Sequence, residues 1–175
     1  MELKGELLYE IYTDTNDDSY DVGVFITQDK ENIVFQSVNV NGFDDGLLLL
    51  KKDDIHKVQF NTPYTISIQK LMEYLYRKIK YKNIKFKKDN LMTDFLNFAK
   101  TNGSIVGIEL NNSGVVNMMG FIEELSDEYI TTLELDIDGS TIGNGQARIS
   151  DINKISIDAF KHQKHKILFE TNSKK

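Results

Sequence analysis

The chain has no cysteine, no tryptophan and one proline, Pro63, in 175 residues. Lacking thiols, it has neither disulfides nor thiolate metal sites, and a cysteine nucleophile is excluded. Long apolar runs are also missing: the longest, Leu47-Leu48-Leu49-Leu50, is far too short to span a bilayer as a helix. The start, Met1-Glu2-Leu3-Lys4-Gly5-Glu6, lacks the apolar core of a signal peptide, so we expect a cytoplasmic protein. Cationic excess is absent, and the formal charge of −6 opposes a protein-wide affinity for nucleic acid. Histidine is scarce. His56, His162 and His165 are the only three, and none falls in a nucleophile motif. Gly143-Asn144-Gly145 is no phosphate loop, because no Lys-Ser/Thr follows it. We therefore expect no enzyme, no catalytic residue and no cofactor.

What the chain does have is a repeat. Sliding Gly23 onto Gly120, about 97 residues on, brings Ile33 onto Ile130, Gly42 onto Gly139 and Gly46 onto Gly143. The same ungapped register carries Asp54-Ile55 onto Asp151-Ile152 and Lys57 onto Lys154. Apolar positions coincide between these identities, as at Val38/Leu135, Val40/Ile137, Val58/Ile155 and Phe60/Ile157. A repeat of this kind is architectural information. It predicts two units of roughly 70–80 residues, near the lower limit for an independent core. The 40% hydrophobic and 27% charged composition suits a globular protein.

Short alternating apolar runs predict strands at Glu6–Tyr12, Tyr20–Ile26, Asn32–Val40, Leu47–Leu50 and Val58–Phe60. Asn41-Gly42 marks one turn and Lys52–Ile55 a tight one. A glycine inside a strand, as at Gly23, marks a bend or bulge. The pair Gly46 and Gly143 reads as a turn between strands three and four. The second unit repeats the plan at Ile105–Leu110, Val115–Glu123, Tyr129–Ile137, Gly145–Ile149 and Ile155–Ile157. Helical spacing of Leu91, Phe95 and Phe98 predicts a helix over Leu91–Lys100, before the second unit only. Ile68, Leu71, Leu75 and Ile79 predict a connecting helix over Ile66–Lys78. The reading is a mainly β (α+β) chain of two tandem small five-stranded bent β-barrels. The first spans 1–62, a connecting helix and lysine-rich segment 63–90, and the second barrel 91–175.

These parts resemble the Sm-like family of small barrels, which includes a bacterial RNA chaperone; SH3-like barrels share the same bent-strand logic. The second unit is similar in Leu91–Lys100, Val106-x-Ile108-x-Leu110, Gly120-Phe121-Ile122 and Asp151-Ile152-Asn153-Lys154-Ile155. The first is similar in Gly23-Val24-Phe25 and Asp54-Ile55-His56-Lys57-Val58. The resemblance implies self-association by strand pairing between barrels. It does not bring the family's RNA-reading residues. Asp29-Lys30-Glu31-Asn32 and Asp127-Glu128-Tyr129-Ile130 stand where those members carry Asp-x-His-Met-Asn. Lys51-Lys52-Asp53 and Arg148-Ile149-Ser150 stand in place of their Arg-Gly-Asp.

Three clusters invite chemistry. Asp14-Thr15-Asn16-Asp17-Asp18-Ser19 spaces oxygen ligands as a calcium loop does, but Ser19 and Phe25 occupy its glycine and bidentate-Glu positions. We read it as a solvated turn, like Asp136-Ile137-Asp138-Gly139. His162-Gln163-Lys164-His165 suggests a metal pair, but lacks a third ligand and lies among Lys161, Lys164 and Lys166. We read it as a solvated cationic tail and assign no metal site. Residues 77–88 carry seven Lys/Arg and no acid, against four aspartates and no base over 14–21. There Lys78, Lys80, Lys82, Lys85, Lys87 and Lys88 are candidates for phosphate contacts, with Tyr81 and Phe86 as stacking platforms. The competing reading is an edge strand or linker with Ile79, Tyr81, Ile84 and Phe86 turned inward.

The expected function is a non-enzymatic protein-interaction or scaffold module whose partner is another protein or a second copy. RNA or single-stranded nucleic-acid binding through 77–88 is the alternative. An acidic, immunity-type partner of a basic protein is a third.

Overall fold

A computed structural model of the chain describes residues 3–13, 19–75, 84–87 and 89–173. The chain divides into two compact units, Met1–Leu91 and Met92–Lys175. The first contains β1 (Leu8–Tyr12), β2 (Asp21–Gln28), β3 (Asn32–Val38), β4 (Asp44–Lys51), β5 (Lys57–Phe60) and then α1 (Pro63–Tyr74). Helix α2 (Leu91–Thr101) leads into the second, with β6 (Ile105–Leu110), β7 (Met118–Leu125), β8 (Tyr129–Leu135), β9 (Thr141–Arg148), β10 (Ile152–Ile157) and α3 (Phe160–Asn172). The fold is mainly β, with antiparallel ladders throughout each unit.

Strand order is β5-β1-β2-β3-β4 in the first unit and β10-β6-β7-β8-β9 in the second. In both, the fifth strand returns beside the first, and the fourth and fifth are not ladder partners, so neither five-stranded sheet closes on itself. The registers correspond at the offset seen in the sequence. Leu8 pairs with Val24 as Ile105 pairs with Phe121, and Gly23 with Ser37 as Gly120 with Glu134. The ladder slips between Phe25 and Thr27 in β2, and between Ile122 and Glu124 in β7. A bulge there increases local twist and bends the strand.

Glycine is required just before the bulge. A Cβ on Gly23 would lie 2.8 Å from the Gln36 carbonyl oxygen and 2.9 Å from Phe35 Cβ. On Gly120 it would fall on the Leu133 carbonyl oxygen and 2.9 Å from Glu134 Cα. The missing side chain lets neighbouring strands approach where they bend.

Matching turns use different residues. At the second hairpin Asp29 Oδ1 accepts from the backbone N–H of Glu31 and Asn32, at 2.9 and 2.6 Å. Ser126 Oγ does the same for Glu128 and Tyr129, at 3.3 and 2.9 Å. Both side chains mimic a backbone turn. Short 3-10 turns at Lys52–Asp54 and Ile149–Asp151 precede each fifth strand. Gly46 and Gly143 lie inside β4 and β9, not in a turn between strands, and both have positive φ (77° and 137°). Nearby ladder slips at Gln36/Val38 and Glu134/Leu135 accommodate that backbone, which explains why a turn-type residue stands within a strand.

The first sheet buries both faces. Tyr9, Ile11, Ile33, Phe35, Leu48 and Leu50 form one cluster, while Leu8, Val22, Val24 and Val38 pack with Ile68 of α1 on the other. Each such buried side chain contributes on the order of 1.5–3 kcal/mol. Helix α1 starts at Pro63 in the first helical position, which spares an unneeded N–H. Thr62 and Thr65 cap it reciprocally: Thr62 Oγ1 accepts from Thr65 N–H at 3.1 Å, and Thr65 Oγ1 accepts from Thr62 N–H at 3.0 Å. Thr65 and Ile68 are its buried residues, whereas Leu71 and Leu75, expected in the apolar stripe, are exposed.

Carrying α1 forward by the repeat offset lands on α3. The segment expected as a solvated cationic tail is therefore a helix with His162 only 3% exposed. Its lysines suggest solvent by composition, but Lys161 and Lys164 occupy the exposed side while His162 turns to the sheet.

Candidate functional site

The lysine-rich segment is described only in part. Lys78, Lys80, Tyr81, Lys82 and Lys88 lie outside the described residues. Over 84–87 no strand forms; Lys85 and Lys87 are exposed, with Ile84 and Phe86 half-buried between them. This alternation turns the apolar pair inward without the ladder expected of an edge strand. The acidic stretch 14–18 is likewise outside the described residues, and only Ser19 of that cluster is described.

The most exposed regular element is β9. Six of its eight residues are exposed, Ile142 at 65%. Among the described residues it has one ladder neighbour, β8, and at the other end of the strand orders β5 has one, β1. Tyr129 faces Arg148, and Ile149 N–H donates to the Glu128 carbonyl at 2.9 Å. Hydrogen-bonded pairs alternate along an antiparallel ladder. The N–H and C=O groups of Asn144, Gln146 and Arg148 therefore point away from β8. These three residues present a repeating set of backbone donors and acceptors, with no proline among them and Arg148 the one charged side chain.

Beside this edge is an open cleft of about 340 Å3, lined by Lys100, Glu124, Leu125, Ser126, Tyr129, Thr131 and Gln146. Gln146 Nε2 donates to Thr131 Oγ1 at 3.4 Å, and Asn144 Nδ2 donates to Glu123 Oε2 at 2.8 Å. The lining combines amide, hydroxyl and both charge signs, a chemistry suited to polar recognition.

In the first unit the junction of β1, β5 and α1 holds an acid. Glu10, 4% exposed, accepts from Tyr12 Oη at 2.8 Å and from Thr62 Oγ1, the hydroxyl that caps α1. Tyr12 Oη also lies 3.1 Å from Gln59 Oε1, and Lys57 Nζ stands 3.9 Å from its ring centroid. Tyr12, Tyr20 and Tyr64 pack in sequence at 5.1 and 5.6 Å. Burial, then Tyr20 and Glu10, raise the Tyr64 hydroxyl above its usual value.

The second unit fills the corresponding junction differently. Gly107 and His162 stand at the repeat positions of Glu10 and Thr65. The His162 ring takes the space that a Cβ on Gly107 would need, contacting it through Cε1. Ser156 Oγ donates to the Gly107 carbonyl at 3.3 Å and lies 3.5 Å from His162 Nδ1. Burial first, then Lys161 and His165, lower the imidazole to about 4, so it is neutral at pH 7. One turn on, His165 Nδ1 lies 3.0 Å from Met119 Sδ. Among the described residues no three His, Cys, Asp or Glu side chains gather as a metal site.

Comparison with protein-family models, with curated proteins and with solved structures yields no match. Sequence reasoning did not single out β9 or the Gly107–His162 contact. The repeat itself was the available signal, because positions where the halves differ in chemistry locate both.

Proposed function

We propose that the chain is a non-enzymatic protein-interaction module of two tandem Sm-like units, arisen by internal duplication, that self-associates by strand pairing. The observation that carries this reading is the β9 edge, eight residues long with one ladder partner and exposed at six positions. The duplication and the Sm-like assignment are supported by the common strand order, by bulges, 3-10 turns and bend glycines at one offset, and by a trailing helix in each half. A second copy offers a suitable partner strand in β5, which also has one ladder neighbour and carries Phe60 at 53% exposure. Backbone hydrogen bonds along the edge supply the attraction, as in β-strand addition generally.

The test is light scattering across a concentration series with the unaltered chain and Gln146→Pro. The Gln146 N–H points away from β8, so proline there leaves the ladder to β8 intact while interrupting the free edge. The unaltered chain should grow in mass with concentration, and Gln146→Pro should remain monomeric with an unchanged far-ultraviolet spectrum. Ile142→Lys, a charge on the same edge, provides a second route to the same outcome. A strict monomer at all concentrations refutes self-association.

A further inference from the structure

The junction between α3 and its sheet gathers nitrogen and sulfur ligand atoms at Met119, His162 and His165, where the repeat positions of the first unit are Val22, Thr65 and Ile68. His165 Nδ1 lies 3.0 Å from Met119 Sδ. His162 packs over Gly107, and Gly107 is the direct cross-strand partner of Met119. Directly paired residues project to the same face of a sheet. His162 and His165 are one helical turn apart on α3. Two imidazoles and one thioether therefore meet over a single pair of sheet positions, on one side of β6 and β7.

We propose that His162, His165 and Met119 form a binding site for a soft monovalent metal ion of the copper(I) class. Thioether sulfur favours copper(I) over zinc(II) or harder ions, and imidazole serves copper in either geometry. Three neutral ligands suit an ion of low charge. The surroundings agree with that choice. Lys161 and Lys164 are exposed, and Lys166 Nζ donates to the Gly103 carbonyl at 2.9 Å. Such charges repel a divalent cation about twice as strongly as a monovalent one.

Ser156 completes the arrangement. Its hydroxyl donates to the Gly107 carbonyl and is placed to accept from His162 Nδ1–H. Holding the proton on Nδ1 leaves the Nε2 lone pair for a metal, the usual outer-shell role. Met119 and His165 are only half-buried, which leaves a path from solvent. Gly107 has a second reason to lack a side chain, because any Cβ would displace His162.

Copper(I), supplied anaerobically from a chromophoric chelator, tests the site in the full chain, and silver(I) serves as a redox-inert probe for NMR. One equivalent should be withdrawn from the chelator, and the Met119 ε-methyl and His165 ring signals should shift. Met119→Leu, which keeps the volume but removes the sulfur, and His165→Gln should each weaken uptake at least about tenfold, and Ser156→Ala about tenfold. Zinc(II) should bind more weakly than copper(I). Failure to compete with the chelator overturns the proposal. So do shifts confined to other methionines, or uptake by Met119→Leu equal to that of the unaltered chain. If a variant fails to fold, the silver titration of the unaltered chain decides the question alone.

Discussion

Replacing Gly120 by alanine tests the account of how the strands bend. The added Cβ falls on the Leu133 carbonyl oxygen, with the Leu133 carbonyl carbon at 2.8 Å and Glu134 Cα at 2.9 Å. Every one of these neighbours is backbone, so no rotamer change relieves the overlap, and β7 and β8 must separate. Overpacking of this kind costs about 1–3 kcal/mol. Alanine returns about 0.4–1 kcal/mol by restricting the unfolded chain. An overlap this deep, and wholly with backbone, falls at the upper end of that cost, so the net loss for Gly120→Ala is about 2 kcal/mol. At Gly23 the nearest atoms are the Gln36 carbonyl oxygen at 2.8 Å and Phe35 Cβ at 2.9 Å, a shallower overlap, and the loss is about 1 kcal/mol. For a unit of this size each kcal/mol moves the melting temperature by about 4–8 °C, giving a fall of about 8–16 °C for Gly120→Ala. Far-ultraviolet circular dichroism follows the transition, with hydrogen exchange assigning the weakened strands to the second unit. Gly103→Ala is the control: its Cβ meets nothing within 4 Å, and only the backbone at φ 56° opposes it. A melting temperature for Gly120→Ala within about 1 °C of the unaltered chain, or a larger loss at Gly23, refutes the close-approach argument.

Gly107→Ala should release α3, because the new methyl group occupies the place of the His162 ring; amide exchange in α3 should accelerate, and adding His162→Ala should restore part of the protection. Exchange in α3 that is unchanged by Gly107→Ala contradicts the contact. Binding to mixed-sequence RNA at low and moderate salt should be absent for the unaltered chain, and charge reversal at Lys82, Lys85 and Lys87 should change nothing. Salt-sensitive binding that the reversal abolishes would instead favour the nucleic-acid reading.

Much of the strand layout was legible because apolar alternation and the repeat agree. Ile105–Leu110 matches β6, and Lys52–Ile55 coincides with the 3-10 turn before β5. Helix α2 was legible from Leu91, Phe95 and Phe98. Helix α3 was not, since Phe-Lys-His-Gln-Lys-His-Lys offers few apolar residues and the one residue α3 buries is a histidine. Strand β9 was read as Gly145–Ile149 and runs Thr141–Arg148. Thr-Ile-Gly-Asn-Gly-Gln carries no apolar alternation, and its extended form comes from pairing with β8. The Met119–His165 contact joins residues 46 apart in sequence, and only the folded register brings them together.

The contrast between β4 and β9 narrows what can cover the free edge. Leu47 and Leu49 in β4 are fully buried, while Asn144 and Gln146 hold the same positions in β9 and are exposed. Burying a leucine stabilises by about 1.5–3 kcal/mol. Asn144 and Gln146 each make one side-chain hydrogen bond, and an apolar cover would strip water from their remaining amide groups at a cost of roughly 1–3 kcal/mol each. An apolar surface laid over β9 would therefore be penalised at two successive outward positions, and the polar cleft beside Gln146 would add to that cost. A strand in the plane of the sheet avoids the penalty, because it satisfies the outward backbone groups and leaves both amides in water. Association at β9 should thus be directional, dependent on backbone hydrogen bonds, and weak in its heat-capacity signature, since little apolar surface is buried. A large negative heat-capacity change on self-association would place the contact on an apolar face of the protein instead of on this edge.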